Sequence, residues 1–355
     1  MTTILAGDIG GTNTRLRLVE GTTTNGKCTK SSLTTLAEED YPSQSFSDLV
    51  PIIKKFITGV EKETKTTIKV VNACIGIAGP VVNNTSELTN LSWVLSGDRL
   101  EKELGINKVE LINDFKAIGY GILGLEAEDF YQIQAAPQDP QAPIAVLGAG
   151  TGLGEGFLIP DQDGNYRVFG SEGSHADFPP RSSLEFQLLN YIKEKYRLER
   201  VSVERVVSGQ GITIIYEFLR DQNRELESPK LAKIYETWEQ ELGKEDKTVD
   251  LAAEISQAAQ AKSDYLCEQT MKIFMEAYGA EAGNLALKLL CYGGLYLAGG
   301  ITGKNLDLIT QGDFLKAFHL KGRLSPLMLK IPIYAVVNSR VGLIGASLRA
   351  LQLGN

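Results

Sequence analysis

Apolar residues in this chain come in short runs broken by glycine, and their spacing switches between a strand period and a helical one. Ile4-Leu5-Ala6 and Leu16-Arg17-Leu18-Val19 flank Gly7-Asp8-Ile9-Gly10-Gly11-Thr12-Asn13, so residues 1–20 predict a hairpin, with a third strand near Ser31–Leu36. From Phe46 to Glu61 the spacing is helical, with Leu49, Ile52, Ile53, Phe56 and Val60 on one face. Ile68–Ile77 is a β-branched run ending at Gly79-Pro80 and predicts a buried strand. Val94–Leu104 predicts a helix, Val109–Ile112 a strand stopping at Asn113-Asp114, and Phe115–Leu123 another helix. Strands first, then strand and helix in alternation, is the order of an α/β unit.

The same programme restarts near residue 144. Ile144-Ala145-Val146-Leu147 and Phe157-Leu158-Ile159 flank Gly148-Ala149-Gly150-Thr151-Gly152-Leu153-Gly154. A helical region follows, with Ser183–Tyr196, Ser202–Val207, Gly211–Leu219 and at least two helices in Leu251–Leu290. Arg220–Asp250 is densely charged with mixed sign, contains Pro229 and Gly243, and reads as solvated helix and loop. Leu295–Ala298 predicts a strand running into Gly299-Gly300, Ile331–Val337 a last strand and Gly342–Leu351 a last helix. The layout is two α/β halves, each opening on a glycine hairpin. No shorter repeat is present, which excludes a solenoid.

With 355 residues, 43% of them hydrophobic and 23% charged, the chain can bury two full cores. A net charge of −8 without a long basic run argues against nucleic acid and anionic membranes as partners. An anionic nucleotide remains acceptable if it arrives with a divalent cation and meets backbone N–H groups. Cys28, Cys74, Cys267 and Cys291 lie far apart, which fits reduced thiols and neither a disulfide framework nor a zinc site. No secretory signal is expected, because the first ten residues lack a basic start and Asp8 interrupts their apolar stretch. No apolar run approaches the ~20 residues of a spanning helix. The expectation is a cytoplasmic protein.

The two glycine turns carry the first chemistry. Glycine lets a backbone fold so that several N–H groups converge on one point, which is how uncharged protein grips phosphate. Ordinary hairpin turns favour the same residues. Asp8, Thr12 and Thr151 add oxygen ligands that a bare hairpin does not need, and two such turns one domain apart read as jaws on a nucleotide's phosphates. The dinucleotide fingerprint fails, since Leu153 stands where its third glycine should and a strand follows. The P-loop fails too: around Gly303-Lys304 the leading glycine is Ala298 and the trailing Ser/Thr is Asn305.

Asn113-Asp114 sits where a strand hands over to a helix, the place where α/β sheets collect ligands. Asp114 is either that helix's N-cap or a cleft carboxylate able to take a proton from a hydroxyl. Ser171-Glu172-Gly173-Ser174-His175-Ala176-Asp177-Phe178 holds one of only two histidines. It lacks a nucleophile elbow and a third metal ligand, so Glu172 and His175 better suit a polyol. Glu204 on its own reads as a surface or N-terminal helix carboxylate, and Asn90 as a turn residue.

Taken in order, these pieces give a resemblance to the bacterial-type ATP-dependent glucokinases, of the hexokinase, actin and heat-shock chaperone ATPase superfamily. The residues that carry it are Gly7–Asn13 with Arg15, Thr89-Asn90 before Trp93, Leu111-Ile112-Asn113-Asp114-Phe115 and Gly148–Gly154. It continues through Glu172-Gly173 with His175–Phe178, Glu204-Arg205-Val206 with Ser208-Gly209, and Ala298-Gly299-Gly300-Ile301. The resemblance implies two RNase-H-like domains flanking a cleft: a smaller one of residues 1–112 plus about 338–355, and a larger α-rich one of 113–337.

It implies that Gly7, Asp8, Ile9, Gly10, Gly11, Thr12 and Asn13, with Gly148, Gly150, Thr151 and Gly152, hold the phosphates of Mg-ATP. Gly299 and Gly300 would lie against the adenosine, and Asp8 would act on Mg2+ through water. Asn90, Asn113, Asp114, Glu172, His175 and Glu204 would bind glucose, with Asp114 the general base for the 6-hydroxyl. A homodimer is the assembly that the family implies. Two departures stand out: Ser174 replaces an expected glycine, and Arg220–Asp250 is longer than usual. The cysteine-rich zinc loop of the repressor/open-reading-frame/kinase branch is absent. The rivals are a kinase for mannose or an N-acetylated hexose, and a sugar-responsive regulator or filament- or chaperone-type ATPase. A regulator would carry a DNA-binding motif ahead of the first hairpin, and the other ATPases need no polyol pocket.

Overall fold

The strand ends that matter are brought into line by register. In the computed structural model, which describes residues 1–22, 29–88, 91–244 and 247–353, the first sheet is built from five strands. β1 (Thr2–Ile9), β2 (Asn13–Gly21) and β3 (Leu33–Pro42) form an antiparallel meander. α1 (Leu49–Thr64) follows, then β4 (Asn72–Ile77), the short hairpin of β5 (Thr85–Glu87) and β6 (Val94–Ser96), and α2 (Gly97–Leu104). β7 (Lys108–Asn113) closes the sheet in the order β3-β2-β1-β4-β7, with β4 and β7 parallel to β1. Ile9 pairs with Ile77 and Ile77 with Asn113, so the first glycine turn, Gly79 and Asn113 fall on one edge.

α3 (Asp114–Gly124) leads to a second sheet of β8 (Phe130–Gln134), β9 (Ile144–Ala149), β10 (Leu153–Pro160) and β11 (Tyr166–Ser171). Five helices intervene: α4 (Ser183–Tyr196), α5 (Gly209–Gln222), α6 (Pro229–Gln240), α7 (Leu251–Gln260) and α8 (Tyr265–Leu289). β12 (Gly294–Ala298) is followed by the short helices α9 (Gly300–Lys304), α10 (Leu306–Thr310), α11 (Asp313–His319) and α12 (Ser325–Met328). β13 (Ile333–Val336) and α13 (Val341–Gln352) are the last elements among the described residues. The order is β11-β10-β9-β12-β13-β8, and Gly148 pairs with both Gly154 and Ala298, which puts the second glycine turn beside Gly299.

Four apolar clusters make five layers. α1 and α2 cover one face of the first sheet through Ile53, Phe56 and Leu100. α3 and α13 cover its other face through Ala117, Leu343 and Ala346. The same two helices reach the second sheet through Ile122 and Val341. The remaining face carries the large cluster of α5, α7 and α8, with Tyr216, Phe274 and Tyr278 fully buried. α3 and α13 are thus shared between the two halves.

Several expectations are corrected. The third strand runs Leu33–Pro42, Val94–Ser96 is strand before its helix begins, and Ser202–Val207 holds only a 3-10 turn at Val203–Arg205. The Arg220–Asp250 stretch is not simply solvated. Arg220 and Glu227 form a buried ion pair at 2.5 Å, Arg220 lies 4.0 Å from the Tyr235 ring centroid, and Leu231 and Tyr235 are buried. Cys74, Cys267 and Cys291 are free and buried, whereas Cys28 lies outside the described residues. None of the described helices is long and apolar enough to cross a membrane.

Candidate active site

Asn113 takes the capping role that the sequence allowed for Asp114. Its Oδ1 accepts from the N–H groups of Phe115 at 2.9 Å and Lys116 at 3.2 Å, and its Nδ2 donates to Gly79 O at 3.3 Å. Asp114 is thereby the first helical residue, with one carboxylate oxygen on Phe115 N at 2.9 Å. Burial raises its pKa to about 6, with Asp8 and Glu172 adding like-charge repulsion against two backbone N–H donors. A carboxyl poised there is half-way to the proton affinity a general base needs at neutral pH.

Phe115 fixes where that carboxyl stands. A Cβ on Gly154 would lie 1.8 Å from the Phe115 ring, and one on Gly148 2.6 Å from it. These two glycines of the second turn therefore make room for an aromatic wedge, and the wedge ties the start of α3 to the second hairpin. The sequence reading gave Phe115 no role. An aromatic directly after Asn-Asp, with glycines at both strand ends of the second hairpin, was the available signal.

The first turn is closed by Gly10 N donating to Asn13 O at 2.9 Å. Buried Ser43, a second residue the sequence reading missed, braces it: Ser43 N donates to Thr12 O at 2.8 Å and its Oγ to Gly10 O at 3.0 Å. Gly7 is buried against Ile75, while Thr12 and Asn13 are exposed at the tip. Asp8 is 40% exposed along its side chain, with Arg15 at 4.0 Å. Crowding by protein raises its pKa, Arg15 and Arg340 opposing and Asp40 assisting.

In the second turn Gly150 N donates to Gly152 O at 2.8 Å, and Gly209 N to Gly150 O at 2.9 Å. Thr151 is exposed at its tip. Glu204 reaches this turn, its Oε2 accepting from Leu153 N at 3.0 Å, where a Cβ on Gly152 would lie only 2.5 Å away. Gly299 has φ +89° and its Cβ would meet Ala149 O at 2.3 Å, so glycine is required for that turn; Gly300 borders open space. Glu172 and His175 flank a 3-10 turn after β11, 63% and 54% exposed, with 3.9 Å between Oε2 and Nε2. Phe178 N to Val201 O and Val203 N to Ala176 O strap this turn to the segment bearing Glu204. Asn90 lies outside the described residues.

A cavity of about 650 Å³ between β7 and β11 is lined by Asn113, Lys116, Gly170, Ser171 and Glu172, and runs on to Lys108 and Leu353. It shares only Asn113 and Glu172 with the candidate residues. Among the described residues no group of three or more potential ligands is placed to hold a metal unaided.

The glucokinase family model matches residues 5–353. The chain is 54% identical to a glucokinase of Nostoc punctiforme over 353 residues, 99% of this chain and all of the relative. It is 56% identical to a glucokinase of Synechocystis over 348 residues, 98% of both. Among solved structures, a glucokinase from an Antarctic psychrotroph superposes with TM-score 0.78 at 29% identity, covering 99% of each chain. A glucokinase from Balamuthia mandrillaris in complex with glucose superposes at 0.75 with 21% identity, covering 98% of this chain and 93% of that one, and shares the fold.

Proposed function

The chain belongs to the glucokinase family, and we propose that Asp114 is the base of its reaction. It is an ATP-dependent hexose kinase with the two-domain actin-like fold, which moves the γ-phosphoryl group of ATP to the 6-hydroxyl of D-glucose. The products are glucose 6-phosphate, which feeds glycolysis, and ADP. The observation that carries the role of Asp114 is its raised, largely buried carboxyl at the aligned strand ends, wedged by Phe115 beneath the second glycine turn.

A hexose hydroxyl is far too weak an acid to be ionised beforehand. Asp114 therefore orients the oxygen and receives its proton as the bond to phosphorus forms, while positioning and charge neutralisation supply most of the acceleration. Asn113, Glu172, His175 and Glu204, with Asn90, are assigned to the other sugar hydroxyls. Gly7, Asp8, Ile9, Gly10, Gly11, Thr12, Asn13, Gly148, Gly150, Thr151 and Gly152 are assigned to the phosphates, and Gly299-Gly300 to the adenosine. Magnesium bound with the triphosphate would offset its charge. One carboxylate acting through water suits that ion, because magnesium keeps several waters and takes phosphate oxygens as ligands. Asp8, half-buried beside the first turn, is assigned that role.

The lobe boundaries belong to the same reading: 1–112 with about 338–355, and 113–337. So do a homodimer and a cytoplasmic site of action, the latter supported by three buried free cysteines. A coupled assay with ATP and a panel of glucose, mannose and N-acetylglucosamine tests the substrate. The expected result is a kcat/KM for glucose about tenfold or more above the others, since a site built on specific hydroxyls discriminates epimers strongly. A higher value for mannose or the N-acetylated sugar would overturn it.

A further inference from the structure

Behind the Glu172–His175 turn lies a carboxyl that the reaction does not use. Glu155 on β10 is 2% exposed, and its Oε1 has no hydrogen-bond partner among the described residues. The β10–β11 register sets it opposite Ser171, where β11 ends and the turn begins. A Cβ on Gly173 would lie 2.1 Å from Glu155 Oε2 and 3.2 Å from Ser171 Oγ. The carboxyl is thus pressed against the backbone between Glu172 and His175.

The charges around it do not favour ionisation. From α8 come Glu281 and Lys288, of which Glu281 has the stronger effect. On the turn, Glu172 and His175 lie on either side of the Gly173-Ser174 pair, and the group nearest the carboxyl is the uncharged Gly173 backbone. Lys321 is engaged elsewhere, donating to Ala280 O and Asn284 Oδ1. An uncharged carboxyl can lie in this place; a carboxylate needs water or a counter-ion. Of its neighbours, the single 3-10 turn gives way more easily than a sheet strand or the 25-residue α8.

We propose that Glu155 is a positioning residue for the sugar-binding turn, seating Gly173 while uncharged and loosening it when ionised. The assignment rests on the reading that Glu172 and His175 hold glucose. Burial first, and Glu281 second, place the Glu155 carboxyl at about 7, so the change falls near neutral pH. Raising the pH through that value charges the group and weakens sugar binding.

The test is glucose Kd by titration calorimetry between pH 6 and 8.5, with hydrogen exchange of residues 172–176 in the sugar-free protein. Wild type should lose affinity above pH 7 by up to about tenfold per unit, the limit for one linked proton. Exchange at the turn should accelerate beyond the intrinsic pH effect over the same range. Glu155→Gln should show neither change, and Glu281→Gln, which removes the nearby like charge and leaves Lys288 in place, should move the wild-type midpoint to lower pH, because lost repulsion makes ionisation easier. If Glu155→Gln fails to fold, that downward shift in Glu281→Gln carries the test. A pH-independent turn in wild type, or an unmoved midpoint in Glu281→Gln, would overturn the proposal. Pronounced exchange changes without any change in Kd would leave Glu155 in place and overturn instead the assignment of the sugar to this turn.

Discussion

Asp114 is the residue on which chemistry and environment meet most closely. Its ordinary carboxyl would be fully ionised at neutral pH and a weak proton acceptor; burial, with Asp8 and Glu172 nearby, lifts it to about 6. The ionised form is the competent base, so activity must rise as pH rises through that value. Between pH 5 and 6.5, log kcat/KM for glucose should climb with a slope near one and bend near 6. A flat profile over that range would mean that no group of this kind titrates in the free enzyme. The stability consequence has the opposite sign. A raised carboxyl favours the folded state at low pH and loses that contribution as pH rises through about 6.

At the scale of elements, the hairpins, the long helices and the Asn113-Asp114 junction were legible in the sequence because each buries a complete periodic face or ends on a strong turn signal. What was not legible depends on partners distant in sequence. β11 has no long apolar run, since Tyr166–Ser171 is an edge strand held by β10. Tyr235 and Arg220 look like surface residues until Glu227 and the ring close over the guanidinium. The glycines of the second turn read as phosphate ligands, yet Gly148 and Gly154 also house Phe115. Gly154→Ala should therefore push the ring, and Asp114 with it, lowering kcat by roughly 10- to 100-fold, as sub-ångström to 1 Å displacements do. Adding Phe115→Leu should restore part of the loss. Strictly additive losses in kcat from the two substitutions would show that the ring and the turn are not coupled.

The whole molecule is two sheets sharing a middle layer. There α3 and α13 meet almost backbone to backbone: a Cβ on Gly345 would lie 1.9 Å from Ala117 O, and one on Gly121 2.2 Å from Val341 O. Helices that touch through glycine can slide with little side-chain rearrangement, which suits closure of the two lobes on sugar and exclusion of water from the phosphoryl transfer. Small-angle scattering should record a smaller radius of gyration with saturating glucose, and an unchanged radius would exclude closure as the device. The reaction nonetheless turns on one carboxyl. The most direct measurement is kcat together with glucose Kd for Asp114→Asn. The expected result is a kcat lower by about 10²–10⁴-fold with Kd within severalfold of wild type; a variant that keeps a third of the wild-type kcat would remove Asp114 from the role of base.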